Sequence, residues 1–547
     1  MDKIFIKKIE GLYNKKKFNQ IKFELATLNE EDNKTPFVLN LRGIIELFKN
    51  NYDQAKVYFY QALEIDKYYI HCLLNLIKIS YIDKDYDKII SLLKDYHLKN
   101  PNNKEVLVNL ADLTFTAGHV EDTINFHKKL IDSGKFNLKD LSALIVLLNY
   151  MSSYSEKEYK KYCELYNSYL EKKKLTYNLK NHEHNKLKIA FLSYDLRNTS
   201  VGFFLKDFIK ELKKKNFFPI ALNLSDPGKN KNFFVSELKQ SFSEWYDVFN
   251  LNDNDLSNFI YKKKVYFLFD LSGHTAENRL QIFKNKPAPV QISWLGYCNS
   301  TQIKEIDYLL VDPFVISREN EEFFMEKIIR LPNIWNSHSK IDQLEINNLP
   351  AIGNENFTFG SFNNFLKISN ETIDAWVQIL KNVPKSRLIL KSSESSISNY
   401  KNYLFKRIDR NIDKKRIIFL NYEQSKNQHL KQYNKIDISL DTFPYNGNTT
   451  TFESIWMGVP VLTIHGKNFI SRCGYSINKN LGMDDFIVKN KDEYIAKAVK
   501  LASKSEYEKL NKIRKSLRQK ALTSPLFDNT TFAKNFAEKL IQISNYS

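Results

Sequence analysis

The chain has no stretch of 18 or more consecutive apolar residues, so no transmembrane helix is expected. Its first ten residues, Met1 to Glu10, scatter their charges and lack the apolar centre of a signal peptide. Cysteine is scarce: Cys72, Cys163, Cys298 and Cys473 stand far apart, without the spacing of a zinc or dithiol site. These absences imply a cytoplasmic, reducing compartment and no membrane partner. Acidic residues are also short, 63 against 82 Lys and Arg, which leaves a formal net charge of +19. The lysines run through the whole chain beside abundant Asn and Ile, a general bias of composition. Nucleic acid is therefore not the expected partner, and an anionic small ligand suits the charge equally well. Metal-binding patterns are missing too. Asp253-Asn-Asp255 falls in a polar loop, Asp85-Tyr-Asp87 at a turn, and His182 and His184 in a polar segment where solvation explains them.

What remains is ample for packed cores: 547 residues, 43% hydrophobic and 14% aromatic, enough for two to four domains. Residues 1–135 carry a period. Phe18, Tyr52, Tyr86 and Val120 recur every 34 residues, and Ile21, Ala55, Ile89 and Thr123 follow three positions after each. Gly43, Phe59 and Ala62 occupy the small and aromatic positions where two helices touch. A 34-residue helix–turn–helix period is similar to the tetratricopeptide repeat, whose stacked pairs form a solenoid with a groove for an extended peptide or a partner protein. Residues 136–186 read as a helical linker.

From Leu187 the pattern turns to short apolar runs alternating with amphipathic helices, as at 188–193, 218–224, 265–270, 290–295 and 308–312. A second series begins at Phe357 and includes 386–391, 416–420 and 436–440. Alternation of this kind predicts two doubly wound parallel sheets, one over 187–350 and one over 351–547, with ligands at the C-terminal ends of the strands. The most informative stretch is Ile438-Ser-Leu-Asp441-Thr-Phe-Pro444-Tyr-Asn-Gly447-Asn-Thr-Thr-Thr451-Phe-Glu453. It reads as strand, turn and helix, with hydroxyl residues at the helix start, where free N–H groups and the helix dipole suit a phosphate. Glu453, one turn in, suits a ribose. On this stretch alone an ordinary βαβ turn reads equally well.

Four motifs in order carry a resemblance: Asp270-Leu-Ser-Gly-His-Thr275, Pro287-Ala-Pro-Val-Gln-Ile-Ser-Trp-Leu-Gly-Tyr297, Phe359-Gly-Ser-Phe-Asn-Asn-Phe-Leu-Lys367, and the stretch from Asp437 to Thr451. Together, behind tetratricopeptide-like repeats, they resemble the family 41 glycosyltransferases, the protein O-GlcNAc transferases and SPINDLY-type O-fucosyltransferases, over about 187–540. The resemblance implies a GT-B fold of two Rossmann-like domains after the α-helical solenoid. It also implies an inverting, metal-independent transfer that uses no cofactor beyond the nucleotide-sugar donor. By position, Lys367 would stabilise the departing diphosphate. Asn364, Asn448, Thr449 and Thr450 would fix the donor, Glu453 would hold the ribose, and Lys426 and His429 would lie near the nucleoside. UDP-GlcNAc, with transfer to Ser or Thr of cytoplasmic proteins, is the expected chemistry. GDP-fucose is the alternative donor, and a repeat scaffold with an inactive transferase region the alternative of another class. Where the family carries a histidine after Asn, this chain has Asn198-Thr199-Ser200. Threonine is no general base near neutral pH, so a mechanism through Thr199 is in doubt. His274 is left as a base, a sugar contact or a structural residue at a strand end.

Overall fold

The computed structural model describes residues 3–170, 187–228, 232–392, 394–408, 412–421, 423 and 425–546. The histidines at 182 and 184 and the charged segment 171–174 lie outside the described residues.

The chain divides into two compact units, one built from 1–135 with 398–403, the other from the remainder. In the first, helices Pro36–Phe48 and Tyr52–Ile65, Ile70–Asp83 and Asp87–Lys99, and Lys104–Ala117 and Val120–Asp132 form successive pairs. The 34-residue series thus marks the start of the second helix of each pair, and Ala55, Ile89 and Thr123 are buried there. Gly43 shows why the spacing demands small residues: a Cβ on it would lie 2.3 Å from the Phe59 ring. Thr123 tolerates burial because its hydroxyl donates to His119 O and pairs with Thr114 Oγ1.

The second unit holds two parallel sheets. Strands β1 (Leu187–Ser193), β2 (Phe217–Asn223), β3 (Glu244–Asp247), β4 (Phe267–Asp270), β5 (Val290–Ser293), β6 (Tyr308–Val311) and β7 (Lys327–Arg330) are ordered β3-β2-β1-β4-β5-β6-β7. Strands β8 (Phe357–Ser361), β9 (Ser386–Lys391), β10 (Ile417–Leu420), β11 (Ile438–Leu440), β12 (Val461–Ile464) and β13 (Ile487–Val488) are ordered β10-β9-β8-β11-β12-β13. Strand order reverses between β1 and β4 in one sheet and between β8 and β11 in the other. Ligand crevices open at such reversals, beyond the strands' C-terminal ends.

Two boundaries differ from the sequence reading. The segment read as a linker contains helices Leu138–Leu148 and Glu156–Tyr169, which belong to the second unit. Tyr159, Tyr162 and Tyr166 are buried there, and the Tyr159 hydroxyl donates to Ser300 O at 2.6 Å. The last helix, Asn529–Tyr546, does not stay with the second sheet. Phe532, Phe536 and Leu540 form an apolar stripe, and the two phenylalanines pack on Phe208 and Trp294 of the first domain, with ring centroids 4.8 to 6.2 Å apart.

Candidate functional site

The loop after β11 is folded by a buried carboxylate. Asp441 accepts from the backbone N–H of Gly447 (2.7 Å) and Thr442 (2.9 Å) and from the Thr463 hydroxyl (2.7 Å). Burial pushes its pKa up to about 6 against the pull of these donors. Gly447 is required by close approach, since a Cβ there would meet Thr450 Oγ1, Thr451 Oγ1 and Asn363 Oδ1 within 2.9 Å. The loop delivers the chain to helix Thr449–Trp456. Its N-cap residue, Asn448, makes no side-chain capping bond, so the helix's first N–H groups are not capped by it.

After β8, Asn364 caps a short 3-10 turn that ends at Lys367. The Lys367 ammonium donates to Asn446 O at 3.0 Å and lies 4.2 Å from the centroid of the Tyr445 ring. Burial lowers its pKa, with Asp441 acting in the opposite direction. After β1, the loop 194–199 folds back on helix Ser200–Lys213. Thr199 Oγ1 donates to Asp195 O at 3.0 Å, and Asp195 Oδ1 accepts from Arg197 Nε and Nη2. These three loops face one cavity of about 370 Å³. Thr199, Asn364, Lys367, Asn448, Thr449 and Thr450 all line it.

Four expected site residues lie elsewhere. His274 is 1% exposed and is not among the residues lining this cavity. Its Nε2 is 2.8 Å from Thr301 O, its ring packs against Tyr166 and Tyr297, and burial pulls its pKa down to about 4. A neutral imidazole that donates to a backbone carbonyl behind the wall has the geometry of a structural group, not of a base in contact with this cavity. Glu453 is 4% exposed, with both oxygens turned to protein partners. It is ion-paired with Lys426, accepts from His429 Nε2 at 2.9 Å, and faces the Tyr433 hydroxyl at 3.4 Å. Burial acts to raise its pKa, but Lys426 and His429 outweigh it and hold the carboxyl far below the usual range. A ribose that reaches this carboxylate must share it with those partners. Lys426 and His429 remain partly exposed around Glu453, which stands one helical turn along from Thr449 and Thr450.

Sequence reasoning missed several wall residues. Asp195 is the one carboxylate among the described residues lining the cavity, and Tyr445, Cys298 and Cys473 also border it. Asp195 follows a predicted strand within two residues of its end, a signal that was available. Tyr445, Cys298 and Cys473 carry none. Among the described residues no group of three or more His, Cys, Asp and Glu side chains gathers in a metal-binding arrangement.

The model of glycosyl transferase family 41 matches residues 155–341 and 347–536. A probable UDP-N-acetylglucosamine–peptide N-acetylglucosaminyltransferase SPINDLY of Solanum lycopersicum is 32% identical over 357 residues, 64% of this chain and 38% of that protein. The Arabidopsis thaliana protein of the same description called SEC is 28% identical over 373 residues, 66% of this chain and 37% of its own length. The chain thus spans under two-fifths of the length of these curated relatives. A point mutant of the O-GlcNAc transferase of Thermobaculum terrenum, a solved structure, superposes with a TM-score of 0.74 over 94% of this chain and all of that one, at 22% identity. That likeness shows the fold, a helical N-terminal region before two Rossmann-like domains of GT-B type. With a family model covering well over half of its residues, both sheets included, the chain belongs to glycosyl transferase family 41.

Proposed function

We propose that the protein is an inverting glycosyltransferase that moves N-acetylglucosamine from UDP-GlcNAc to Ser or Thr hydroxyls of cytoplasmic proteins. One observation carries the reading. A half-buried lysine and the start of helix Thr449–Trp456 face the same cavity, which suits a diphosphate on which charge grows as the sugar leaves. The acceptor oxygen attacks the anomeric carbon from the side opposite the diphosphate. The C–O bond to phosphate breaks, and its electron pair departs onto the diphosphate beside Lys367 and Thr449-Thr450. The hydroxyl proton goes to Asp195, the carboxylate in the facing wall, with Arg197 holding its Oδ1. Thr199 plays no acid–base part, and its hydroxyl secures the Asp195 loop. The names of the relatives favour N-acetylglucosamine as the sugar. Lysine and the helix start serve as the counter-charge, so no metal is required by this scheme.

The test is calorimetry of the purified full chain with UDP, UDP-GlcNAc, GDP and GDP-fucose, followed by transfer of labelled sugar to a protein extract. Binding of the uridine compounds with transfer is the expected result. Binding of the guanosine compounds alone makes the protein a fucosyltransferase. Donor binding with no transfer to any protein identifies a scaffold, and binding of none of the four overturns the donor assignment.

A further inference from the structure

Strand β9 ends on Lys391, a lysine only 3% exposed, with no carboxylate in direct contact among the described residues. Its Nζ lies 2.6 Å from His429 Nδ1. An ammonium has three N–H donors and no acceptor, so at this contact Nδ1 must be the accepting nitrogen. The ring proton then sits on Nε2, where it is donated to Glu453 Oε2 at 2.9 Å. Glu453 Oε1 takes the Lys426 ammonium. Side chains from β9, helix Lys426–Lys431 and helix Thr449–Trp456 thus make one directed chain, Lys391 to His429 to Glu453, closed by Lys426.

With Lys391 as the ammonium, the polarity of this chain has a single consistent setting. The other neutral tautomer would set N–H against an ammonium at one end and a lone pair against a carboxylate at the other. An imidazolium would keep the Glu453 bond but still present N–H to Lys391. Burial pulls Lys391 down to about 8, with Glu423 and Glu453 acting the other way. Both ring nitrogens of His429 are therefore spent on protein groups, and the ring offers a ligand its face and C–H edges but no hydrogen bond.

We propose that Lys391 is a positioning residue for donor binding: together with Glu453 it holds the His429 ring, Nδ1 accepting and Nε2–H donating, and so fixes Lys426 at the nucleoside end of the donor site. This rests on the transferase reading, because Lys426 and His429 are assigned to the nucleoside under that reading. It adds a residue from a different strand, and it makes His429 blind to the hydrogen-bonding edge of the base.

The experiment uses the full chain labelled with ¹⁵N-histidine. Long-range ¹H–¹⁵N spectra at pH 7 report the tautomer, the His429 signals being assigned by their loss in His429→Gln. UDP and GDP affinities are measured on the same samples. Wild type is expected to show Nε2–H. Lys391→Met is expected to move the Nδ1 signal, because its accepted hydrogen bond is lost while Glu453 still takes Nε2–H, and to weaken nucleotide binding about tenfold, part of the contribution of one charge-assisted hydrogen bond because Lys391 acts through His429. Lys391→Arg, also a donor without an acceptor, is expected to restore both readouts to near wild type. Lys391→Gln, which keeps a polar head, replaces Lys391→Met if the latter does not fold. An unchanged Nδ1 signal in Lys391→Met or Lys391→Gln, or affinity within twofold of wild type, overturns the proposal. If wild type binds neither nucleotide the transferase reading fails by itself, and the Nδ1 signal alone then decides whether Lys391 holds His429.

Discussion

Replacing Lys367 by methionine separates a catalytic lysine from a structural one, because the two roles predict opposite effects on stability. Among the described residues the side chain is held by one hydrogen bond, to Asn446 O, and by the Tyr445 ring, and it forms no ion pair with a carboxylate. Burial disfavours its charged form, as the lowered pKa records. For a cation whose folded pKa is depressed, the unfolded chain binds more protons between the folded and the ordinary lysine value. The charge therefore costs stability below the folded pKa, and the cost is relieved as pH rises through that window. Methionine keeps the length and apolar bulk, removes this cost and loses the one hydrogen bond. The two changes oppose each other, so the variant is expected to unfold within about 1 kcal/mol of wild type at pH 7.

Ligand binding should respond far more. A charge-assisted hydrogen bond to a phosphate contributes about 2 kcal/mol, or about 30-fold in affinity. At a UDP concentration of about 100 times the wild-type Kd, the ligand stabilises wild type by about 2.7 kcal/mol and the variant by about 0.9 kcal/mol. Turnover should fall about 10²- to 10³-fold, since the charge on the diphosphate is greatest as the bond breaks. Denaturant unfolding with and without UDP, beside a transfer assay, reads all three quantities. A loss of more than about 3 kcal/mol in the absence of ligand, or an unchanged UDP effect, refutes the reasoning and makes Lys367 a strut.

Asp195→Asn keeps the shape of the wall but removes the proton acceptor. kcat should fall by at least about 10²-fold while UDP affinity stays within about twofold, as steady-state rates and calorimetry on one preparation will show. His274 is buried neutral with its pKa pulled to about 4. The unfolded chain therefore binds an extra proton between about pH 6.5 and pH 4, and stability falls as the pH is lowered through that window, by up to about 3 kcal/mol. His274→Gln should flatten that part of the stability–pH curve, although His338, also pulled to about 4, keeps its own share. In the repeat unit, Gly43→Ala forces a methyl to within 2.3 Å of the Phe59 ring. It should cost about 1–3 kcal/mol, measured by urea unfolding, and Phe59→Leu should recover part of it.

The strands that were legible in the sequence were those buried on both faces. β1, β2, β8 and β9 are mostly buried strands built around apolar residues, and the buried runs fell within a residue or two of the observed limits. The missed strands, β3, β7 and β13, are sheet edges of two to four residues with partly exposed side chains such as Trp245 and Lys327. These three carry no such run, whereas β10, also an edge, was legible because its four residues Ile417–Leu420 are all apolar. The same division holds at the site. Asn364, Lys367, Asn448, Thr449 and Thr450 come from two loops that each follow a strand at a reversal of order, so local chemistry and topology both pointed to them. Lys391 had no local signal beyond a charge at a strand end. Its contact with His429 spans 38 residues and exists only because β9 lies beside β8 and brings its last residue to helix Lys426–Lys431. The surroundings of Glu453 were hidden for the complementary reason. Helical spacing placed it one turn from the phosphate end, but the cations that enclose it come from a helix more than twenty residues away. In this chain the groups that line the cavity were readable from single loops, whereas the contacts among the charged groups behind Glu453 were readable only from the packing between loops.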